Sequence, residues 1–287
     1  MFIRIPQDYR PEWVGLDKQA IVEKAAALSE EMAAYCDSQY ALNHKHYIVL
    51  EFEKILWALV LLKKKRYYSL KYEEGKLNKP KIDFKGIELT RRDGSAITKR
   101  FMKKILHMVL LNGTHADIDG IKKYIANGID ELYALKLPLS EFVMSRQLSR
   151  HPKDYKAKLA HVELAKRLMK DPKHQISVGD RISYVIRSGY KGEKLNSRAV
   201  LIEEIEEGKG TIDIDYYAEK HLAKPLTSML QLVVPDINKL FDSKIRVKKH
   251  TQATQRLFKR KLCNSNHQPK TSFSASGLKF RVKRRKR

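Results

Sequence analysis

The order of two hydrophobic periodicities constrains the possible fold of this chain most strongly. Tyr68, Leu70 and Tyr72 alternate with polar residues, which is typical of a half-buried strand. From Ile97 onward the apolar spacing changes to three and four residues, through Phe101, as expected for helices. A chain in which strand patterns come first and helical patterns follow is predicted to be an α+β protein with a helical C-terminal half.

The same patterns predict individual elements. Asp17 can cap a helix that ends near Asp37, and five apolar residues spaced by four and three predict its buried face. These residues are Ile21, Ala25, Leu28, Met32 and Tyr35. The run Ile55 to Leu62 fits either a buried helix or a strand. Further strands are predicted at residues 2–5, 47–53, 82–90, part of 139–148 and 181–186, and further helices at 97–110, 118–135, 159–169 and 215–230, the last interrupted by Pro225.

The excess of positive charge is the first indication of function. The 287 residues include 58 Lys and Arg against 33 Asp and Glu, a net charge of +25. Residues 244–287 hold 16 of the basic residues and no acidic one, so this tail is far more basic than the rest. Such a surplus is best suited to binding a polyanion such as nucleic acid. The alternative for the tail is a disordered, solvated arm that only raises solubility.

Composition excludes several other classes of protein. Cys36 and Cys263 are the only cysteines, so neither a disulfide framework nor a cysteine-based zinc site can form. The run Ile55 to Leu62 is much shorter than the ~20 apolar residues of a membrane-spanning helix. We therefore expect a soluble protein of a reducing compartment with no membrane partner, and the basic tail suggests the host nucleus or a viral replication site.

An ordered series of segments is the most specific feature of the sequence. An apolar stretch leads into Lys64-Lys65-Arg66-Tyr67, and KGIELTRRDG, VMSRQLSRHPKDY, HVELAKRL, VGDRISYVI and DIDYYAEKHLAKPL follow. Together they resemble family B DNA-directed DNA polymerases, in the same order, over about residues 1–235. The second segment matches the family pattern Lys-Gly-x-Glu-x-x-Arg-Arg-Asp, and Arg146 stands where the thumb segment usually has Lys.

The resemblance implies a division of the chain. Residues 1–95 would form the C-terminal part of the palm, with antiparallel strands and a packed helix. Residues 96–243 would form a mostly helical thumb, and residues 244–287 a basic, disordered tail. Cellular replicative members carry C-terminal cysteine clusters, whereas Cys263 stands alone here, so the resemblance favours a viral-type or divergent polymerase.

The resemblance also implies that the catalytic acids lie elsewhere. The family's Tyr-Gly-Asp-Thr-Asp hairpin precedes a strand like Phe2 to Pro6, and neither this motif nor the other carboxylate motif occurs in the chain. Two-metal nucleotidyl transfer needs such carboxylates. We therefore predict that this chain contains no catalytic or metal-binding residue and is inactive alone. An upstream polypeptide would supply the residues that bind Mg²⁺ in the assembled enzyme, with primer–template DNA and a processivity factor as further partners.

The residues that remain can bind duplex DNA. Cations attract phosphates regardless of sequence, and minor-groove acceptors occur on every correct base pair. By resemblance, Lys65 and Arg66 would contact the minor groove and Tyr67 the primer strand; Lys65 and Tyr67 share a face if this segment is extended. Taken alone, without the flanking matches, the tetrad fits a solvated basic turn after a buried strand better, and Arg91 to Asp93 fit a surface turn whose charges pair with one another. The predicted DNA-binding residues are Lys64, Lys65, Arg66, Tyr67, Arg91, Arg92, Arg146, Arg150, Tyr155 and Arg181.

Two pairs of aspartates, Asp117 with Asp119 and Asp213 with Asp215, could suggest metal sites, but neither pair is expected to bind a metal. Asp117 and Asp119 lie where a helix is predicted to begin, and carboxylates there cap the helix and complement its dipole. The sequence leaves three functional interpretations. The chain is the palm and thumb portion of a replicative polymerase, a stand-alone basic DNA-binding protein without enzymatic activity, or a truncated product without independent function.

Overall fold

A computed structural model describes residues 11–41, 53–73, 79–111, 116–172 and 174–265. The strand predicted at residues 2–5 and almost all of that predicted at 47–53 lie outside these ranges. The described part is a mixed α+β structure with two small antiparallel sheets and several helices, as the order of periodicities predicted. None of its helices has the length and apolar character needed to cross a bilayer.

The first sheet contains three antiparallel strands in the order β1-β2-β3. They are β1 (Lys54–Lys63), β2 (Arg66–Glu73) and β3 (Lys81–Lys85). The apolar run Ile55 to Leu62 is therefore a strand, and Lys64 with Lys65 forms the tight turn into β2. The pairing of β1 with β2 is irregular between Trp57 and Val60, next to Ala58 at φ +52°. We call β1 to β3 the hairpin sheet.

The central strand of the hairpin sheet is buried more completely than its alternation predicts. Tyr68 and Leu70 are buried, and so are Tyr67 and Ser69 on the opposite face. The strand predicted over residues 82–90 is too long: β3 ends at Lys85, and Glu88–Thr90 forms a 3₁₀ turn. Gly86 lies between them at φ +68°, a conformation that ends an extended strand.

Helix α1 (Lys18–Ala41) packs against the hairpin sheet. Asp17 caps it as predicted, since its Oδ1 accepts the Ala20 N–H at 2.7 Å. The predicted buried face is right at its start and wrong at its end. Ala25 is buried and Ile21 and Leu28 are half-buried, but Tyr35 is 66% exposed. Val22 and Ala26, which were not predicted, are buried beside Ala25. The apolar residues of α1 are spread widely around the helix. An amphipathic pattern alone therefore does not distinguish the predicted face from a face rotated by a single residue.

Two amphipathic helices begin the second region. They are α2 (Ala96–Leu111) and α3 (Ile118–Tyr133), and a third, α4 (Ala160–Leu168), follows later. The apolar face predicted for α3 is confirmed, since Ile121, Ile125, Ile129 and Leu132 are all fully buried. The pattern succeeded here because its apolar stripe is strict and regularly spaced.

The second sheet interrupts what the sequence predicts as a mostly helical region. Its strands are antiparallel in the order β4-β5-β6, namely β4 (Met144–Gln147), β5 (Arg181–Ile186) and β6 (Ala199–Val200). The segment predicted as partly strand at 139–148 splits into a 3₁₀ turn, Leu139–Phe142, and β4. Strand β6 has only two residues, too few for a periodicity to show in the sequence.

The segment containing Pro225 is helical but not uniformly α-helical. After the short helix α5 (Ile202–Glu206), it comprises α6 (Ile214–Tyr216), a π-helical stretch (Tyr217–Ala223) and α7 (Lys224–Leu230). Pro225 has no N–H to donate to the carbonyl four residues earlier, that of His221. The Thr98 hydroxyl donates to that carbonyl instead, at 2.5 Å. The predicted interruption is therefore real, and a side chain of α2 satisfies the oxygen that it leaves free.

One continuous core joins the hairpin sheet to the region that follows, residues 95–245, which we call the helical lobe. Tyr68 is fully buried in this core, and its hydroxyl donates to the Met229 carbonyl at 3.2 Å. Ile87 and Ile97 are buried in the same core. The two regions therefore share side-chain packing, although the sequence suggests a boundary near residue 95.

The C-terminal helix corrects the prediction of a disordered tail for residues 244–265, and residues 266–287 lie outside the described ranges. Helix α8 spans Ile237–Ser265, so residues 244–265 are helical. The chain divides into two compact units, residues 1–245 and 246–287, and the helical residues 246–265 are the described part of the second. Charge alone misled the prediction, because lysine and arginine are also good helix formers.

Candidate nucleic-acid interface

The tip of the hairpin sheet exposes two lysines. Lys64 and Lys65 form the β1–β2 turn, and both side chains are exposed. Lys65 has a positive φ of +62°, so the tetrad is not extended throughout, and the face-sharing expected for Lys65 and Tyr67 does not apply. Within the described ranges neither lysine has a hydrogen bond or ion pair, which leaves both ammonium groups available to an anion.

Arg66 behaves differently from the two lysines beside it. Its Nε donates to the Gly86 carbonyl at 2.8 Å, and one terminal nitrogen donates to both carboxylate oxygens of Glu88, at 3.0 and 3.1 Å. The side chains of Arg66 and Glu88 are each about one-quarter exposed. Charge-assisted hydrogen bonds of this kind fix a side chain's geometry. Arg66 therefore connects the hairpin tip to the segment that follows β3.

Gly86 allows this close approach. A Cβ at this position would lie 2.4 Å from the Lys65 carbonyl oxygen and 2.8 Å from Arg66 Cγ, well inside contact distance. Its φ of +68° is also a conformation that other residues rarely adopt. The two segments that carried the resemblance, Lys-Lys-Arg-Tyr and Lys-Gly-x-Glu, thus pack directly against each other.

Tyr67 is mostly buried beneath the tip. Its hydroxyl donates to Asp83 Oδ2 at 3.1 Å, and the same carboxylate oxygen lies 3.7 Å from Lys54 Nζ. Burial raises the pKa of Tyr67, and the charge and hydrogen bond of Asp83 raise it further. Tyr67 therefore stays a neutral phenol that is oriented by Asp83.

The turn after the hairpin sheet carries a compact charge cluster. Arg91 donates to both oxygens of Asp93 at 3.0 Å, and Arg146 lies 3.4 Å from the same carboxylate. Burial opposes ionisation of Asp93, but the hydrogen bond and charge of Arg91, aided by Arg146, outweigh it and lower its pKa. Arg92, between them, is exposed and has no partner among the described residues. The alternative of a surface turn whose charges pair with one another therefore holds for Arg91 but not for Arg92.

The remaining predicted residues lie around the second sheet and the start of α4. The Tyr155 hydroxyl accepts the Ser149 N–H at 2.8 Å, and Arg150 lies over the Tyr155 ring at 5.9 Å. The hydrogen bond from Ser149 lowers the pKa of Tyr155. Arg181 donates to Ser145, through Nε to its hydroxyl and through a terminal nitrogen to its carbonyl. Both arginines are exposed, although each makes a contact within the protein.

A buried polar network joins α2 to the π-helical stretch. The Ser95 hydroxyl contacts both His221 Nδ1 at 3.1 Å and the Thr98 hydroxyl at 3.0 Å, and Thr98 donates to the His221 carbonyl. A neutral His221 with its proton on Nδ1 can donate to Ser95, which then donates to Thr98, so all three bonds are satisfied. Burial and the charge of Arg146 lower the pKa of His221 to about 4.

One aspartate of each acidic pair caps a helix, which confirms the expectation for Asp117 but not for Asp119. Asp117 accepts the Gly120 N–H at 2.8 Å, and Asp213 accepts the Tyr216 N–H at 3.0 Å. Asp213 also pairs with Arg198, and Asp215 accepts the Tyr133 hydroxyl proton at 2.7 Å. In the described ranges no group of three or more His, Cys, Asp or Glu is placed to hold a metal ion.

Sequence reasoning missed the acidic partners and the histidine. Asp83 and Glu88 fix Tyr67 and Arg66, and both are distant from them in the sequence. The matched Lys-Gly-x-Glu segment contained Glu88 but gave no sign that it pairs with Arg66. His221 had no sequence signal beyond its position four residues before Pro225.

The mixed α+β fold is similar to that of a solved family B DNA polymerase from the archaeon Pyrobaculum calidifontis. The TM-score is 0.50 at 22% identity, over 61% of this chain and 21% of that one. The family model DNA polymerase family B matches residues 18–233. The chain therefore belongs to DNA polymerase family B.

Curated relatives agree with this assignment. The chain is 34% identical over 219 residues to a DNA polymerase delta catalytic subunit of Glycine max, covering 76% of this chain and 19% of that protein. It is 32% identical over 233 residues to one of Candida albicans, covering 80% of this chain and 21% of that protein. The chain thus spans about a fifth of the length of these relatives.

Proposed function

We propose that this chain is the palm-end and thumb portion of a DNA-directed DNA polymerase and holds primer–template duplex during DNA synthesis. In this proposal the hairpin sheet belongs to the palm, the helical lobe up to residue 243 is the thumb, and residues 244–287 add a basic tail. Membership of family B supports the activity.

The observation that supports the proposal most strongly is that the hairpin tip combines a fixed backbone turn with two exposed lysines. Arg66 and Gly86 brace the turn from one side, and Lys64 and Lys65 remain exposed on it. A braced turn presents its cations with little loss of freedom on binding, and lysines attract phosphates regardless of base sequence. This is the property required of a surface that must hold every primer–template sequence equally.

Other cations extend the same surface in the proposal. Arg92 lacks a partner in the described structure, and Arg150 and Arg181 are exposed. Contacts from such groups to the DNA backbone would position the duplex without reading its sequence. Arg150 and Arg181 contact only neutral groups within the protein, so their charge is not compensated there. Arg66, Arg91 and Arg146 pair with carboxylates, and Tyr67 and Tyr155 are hydrogen-bonded internally, so we assign these five mainly to positioning their neighbours.

We further propose that an upstream polypeptide supplies the aspartates that hold Mg²⁺. No Tyr-Gly-Asp-Thr-Asp motif occurs in the 287 residues. Bound Mg²⁺ would stabilise charge on the reacting phosphate. The part of this chain described here would then orient the duplex and perform no chemical step.

Primer extension tests this proposal directly. The chain would be assayed alone, mixed with an upstream polypeptide that carries the Tyr-Gly-Asp-Thr-Asp motif, and joined to it in one polypeptide, all with Mg²⁺. We expect synthesis from the mixture and the joined protein but not from either part alone. Synthesis by the joined protein only would refute assembly from separate chains, and synthesis by neither would refute the polymerase function.

Duplex binding tests the hairpin tip. Lys64→Gln/Lys65→Gln removes both tip charges but keeps the aliphatic stems, and Lys103→Gln/Lys104→Gln on α2 makes the same charge change at another exposed pair. If both tip lysines bind phosphates, the slope of log affinity against log salt should fall by about 1.8 for the tip variant. Equal slopes for the two variants would contradict the assigned surface.

The second candidate is a stand-alone DNA-binding protein without enzymatic activity, favoured by the net charge of +25. It predicts salt-dependent duplex binding by this chain and no synthesis in any of the assays above. The viral-type assignment, the nuclear or viral location and the processivity factor stay predictions from the sequence.

A further inference from the structure

Tyr190 is an exposed aromatic residue that the duplex surface does not use. It lies in the loop after β5, and 76% of it is exposed, the largest fraction among the exposed large hydrophobic residues of the described ranges. A single exposed ring is not by itself a binding site, but its face is available for stacking on another aromatic ring, so the surroundings of Tyr190 decide its role.

The loop that carries Tyr190 is fixed by hydrogen bonds to Glu193. The Glu193 carboxylate accepts from Arg187, through two terminal nitrogens at 2.5 and 3.3 Å, and is only 6% exposed. It also accepts the Tyr190 N–H at 3.4 Å, while the Glu193 N–H donates to the Tyr190 carbonyl at 3.1 Å. The backbone of Tyr190 is therefore fixed although its ring is free.

A cleft of about 340 Å³ lies beside this ring, between the Tyr190 loop and the segment leading into α4. Its walls include Lys158, Lys194 and Asn196. The Asn196 side chain donates to the Lys158 carbonyl at 3.2 Å, which fixes the two walls against each other. The volume is at the lower end of the range for small-molecule sites, enough for about one nucleotide.

The charges around the cleft favour an anion. Its two carboxylates, Glu163 and Glu193, already pair with Lys166 and Arg187. Lys158 and Lys194 are exposed and have no side-chain partner in the described structure. Two lysines therefore remain uncompensated beside a free aromatic ring.

We propose that this cleft binds single-stranded DNA, with one base stacked on Tyr190 and the adjoining phosphates bound by Lys158 and Lys194. Aromatic residues beside a basic groove are the usual means of binding single strands without sequence preference. Bases of a duplex are already stacked on one another and cannot cover the ring. The site therefore differs in ligand from the hairpin tip and does not depend on the polymerase proposal.

Binding of a fluorescent oligothymidylate, followed by anisotropy with the full chain, tests the site, and a duplex of equal length is measured in parallel. Tyr190→Ala is compared with Tyr35→Ala, which removes another exposed tyrosine, 66% exposed on α1. We expect Tyr190→Ala to weaken single-strand binding about tenfold and to leave duplex binding unchanged. Tyr190→Phe, which keeps the ring, should bind the single strand as the parent does.

A second variant tests the charges. Lys158→Gln/Lys194→Gln should reduce the salt slope of single-strand binding by about 1.4. Equal single-strand affinities for Tyr190→Ala and Tyr35→Ala would overturn the proposal. A loss that is the same for single strand and duplex would also overturn it, since the cleft would then be part of the duplex surface.

Discussion

The hairpin tip and the turn at residues 91–93 contain similar basic runs, yet the structure uses them differently. At the tip, Glu88 engages Arg66, whereas Lys64 and Lys65 have no side-chain partner among the described residues. In the turn, Asp93 engages Arg91 and Arg146, and Arg92 has no partner within the described ranges. A count of basic residues therefore overstates the charge available to a polyanion, and the position of each carboxylate decides which cations remain available.

The largest expected effect concerns the junction between the hairpin sheet and the helical lobe. Tyr68→Ala would leave a cavity in the shared core and remove the hydrogen bond to Met229, at a cost of about 4 kcal/mol of unfolding free energy. Tyr68→Phe keeps the ring and should cost only about 1 kcal/mol. Urea unfolding measures both; similar small losses would show that the two regions are stabilised independently.

The second effect belongs to the helical lobe alone. The pKa of His221 is about 4 in the folded protein against an ordinary value of 6.5. Above pH 6.5 the side chain is neutral in both the folded and the unfolded state, so its burial costs no stability there. Stability should fall as the pH drops from 6.5 towards 4, by at most about 3 kcal/mol. Urea unfolding at several pH values measures this.

His221→Gln is the control for that measurement, because glutamine does not titrate. The variant should lose most of the pH dependence between 6.5 and 4. Burial also lowers the pKa of His161, which leaves a smaller dependence in the variant. An unchanged pH profile would show that His221 is protonated without cost.

The third effect compares the ion pairs of the two basic turns, Arg66 with Glu88 and Arg91 with Asp93. A double-mutant cycle with Arg66→Gln and Glu88→Gln should give a coupling of about 1.5 kcal/mol, because the pair is partly buried and joined by charge-assisted hydrogen bonds. The cycle of Arg91→Gln with Asp93→Asn should give less than about 1 kcal/mol, since Arg91 is 60% exposed. The reverse order would contradict the bracing assigned to Arg66.

The smallest effect on stability is expected at Arg92. Arg92→Gln should change the unfolding free energy by less than about 0.5 kcal/mol, since the side chain is exposed and has no partner in the described structure. It should still lower the salt slope of duplex binding by about 0.9 if it contacts one phosphate. Lys103→Gln is the matched control, and equal slopes would remove Arg92 from the surface.

Regular patterns made much of the fold predictable. The buried face of α3 and the cap at Asp17 follow from short-range spacing, which the sequence states directly. The face of α1 followed only in part: Ala25 is buried as expected, but Val22 and Ala26 are buried as well, and Met32 and Tyr35 are exposed. The end of β3 at Gly86 and the helix over 244–265 were also missed, since both depend on more than local hydrophobicity.

The residue types of the candidate site were predictable, but which of its cations are paired with carboxylates was not. The resemblance named Arg66 and Arg91 together with Lys65 and Arg92, and no pattern in the sequence separates the paired from the unpaired ones. That distinction comes from Glu88 and Asp93, which the fold brings to the arginines. Tyr190 lay outside every matched segment, so only its exposure drew attention to it.

The π-helical stretch makes one part of the chain tolerant of a change in length. Such a stretch accommodates an extra residue within a helix. Shortening Tyr217–Ala223 by one residue could convert it to an ordinary α-helix and keep Leu226 and Met229 directed into the core. The same deletion within α2 or α3 would rotate everything after it by about 100° and turn the apolar stripe away from its neighbours.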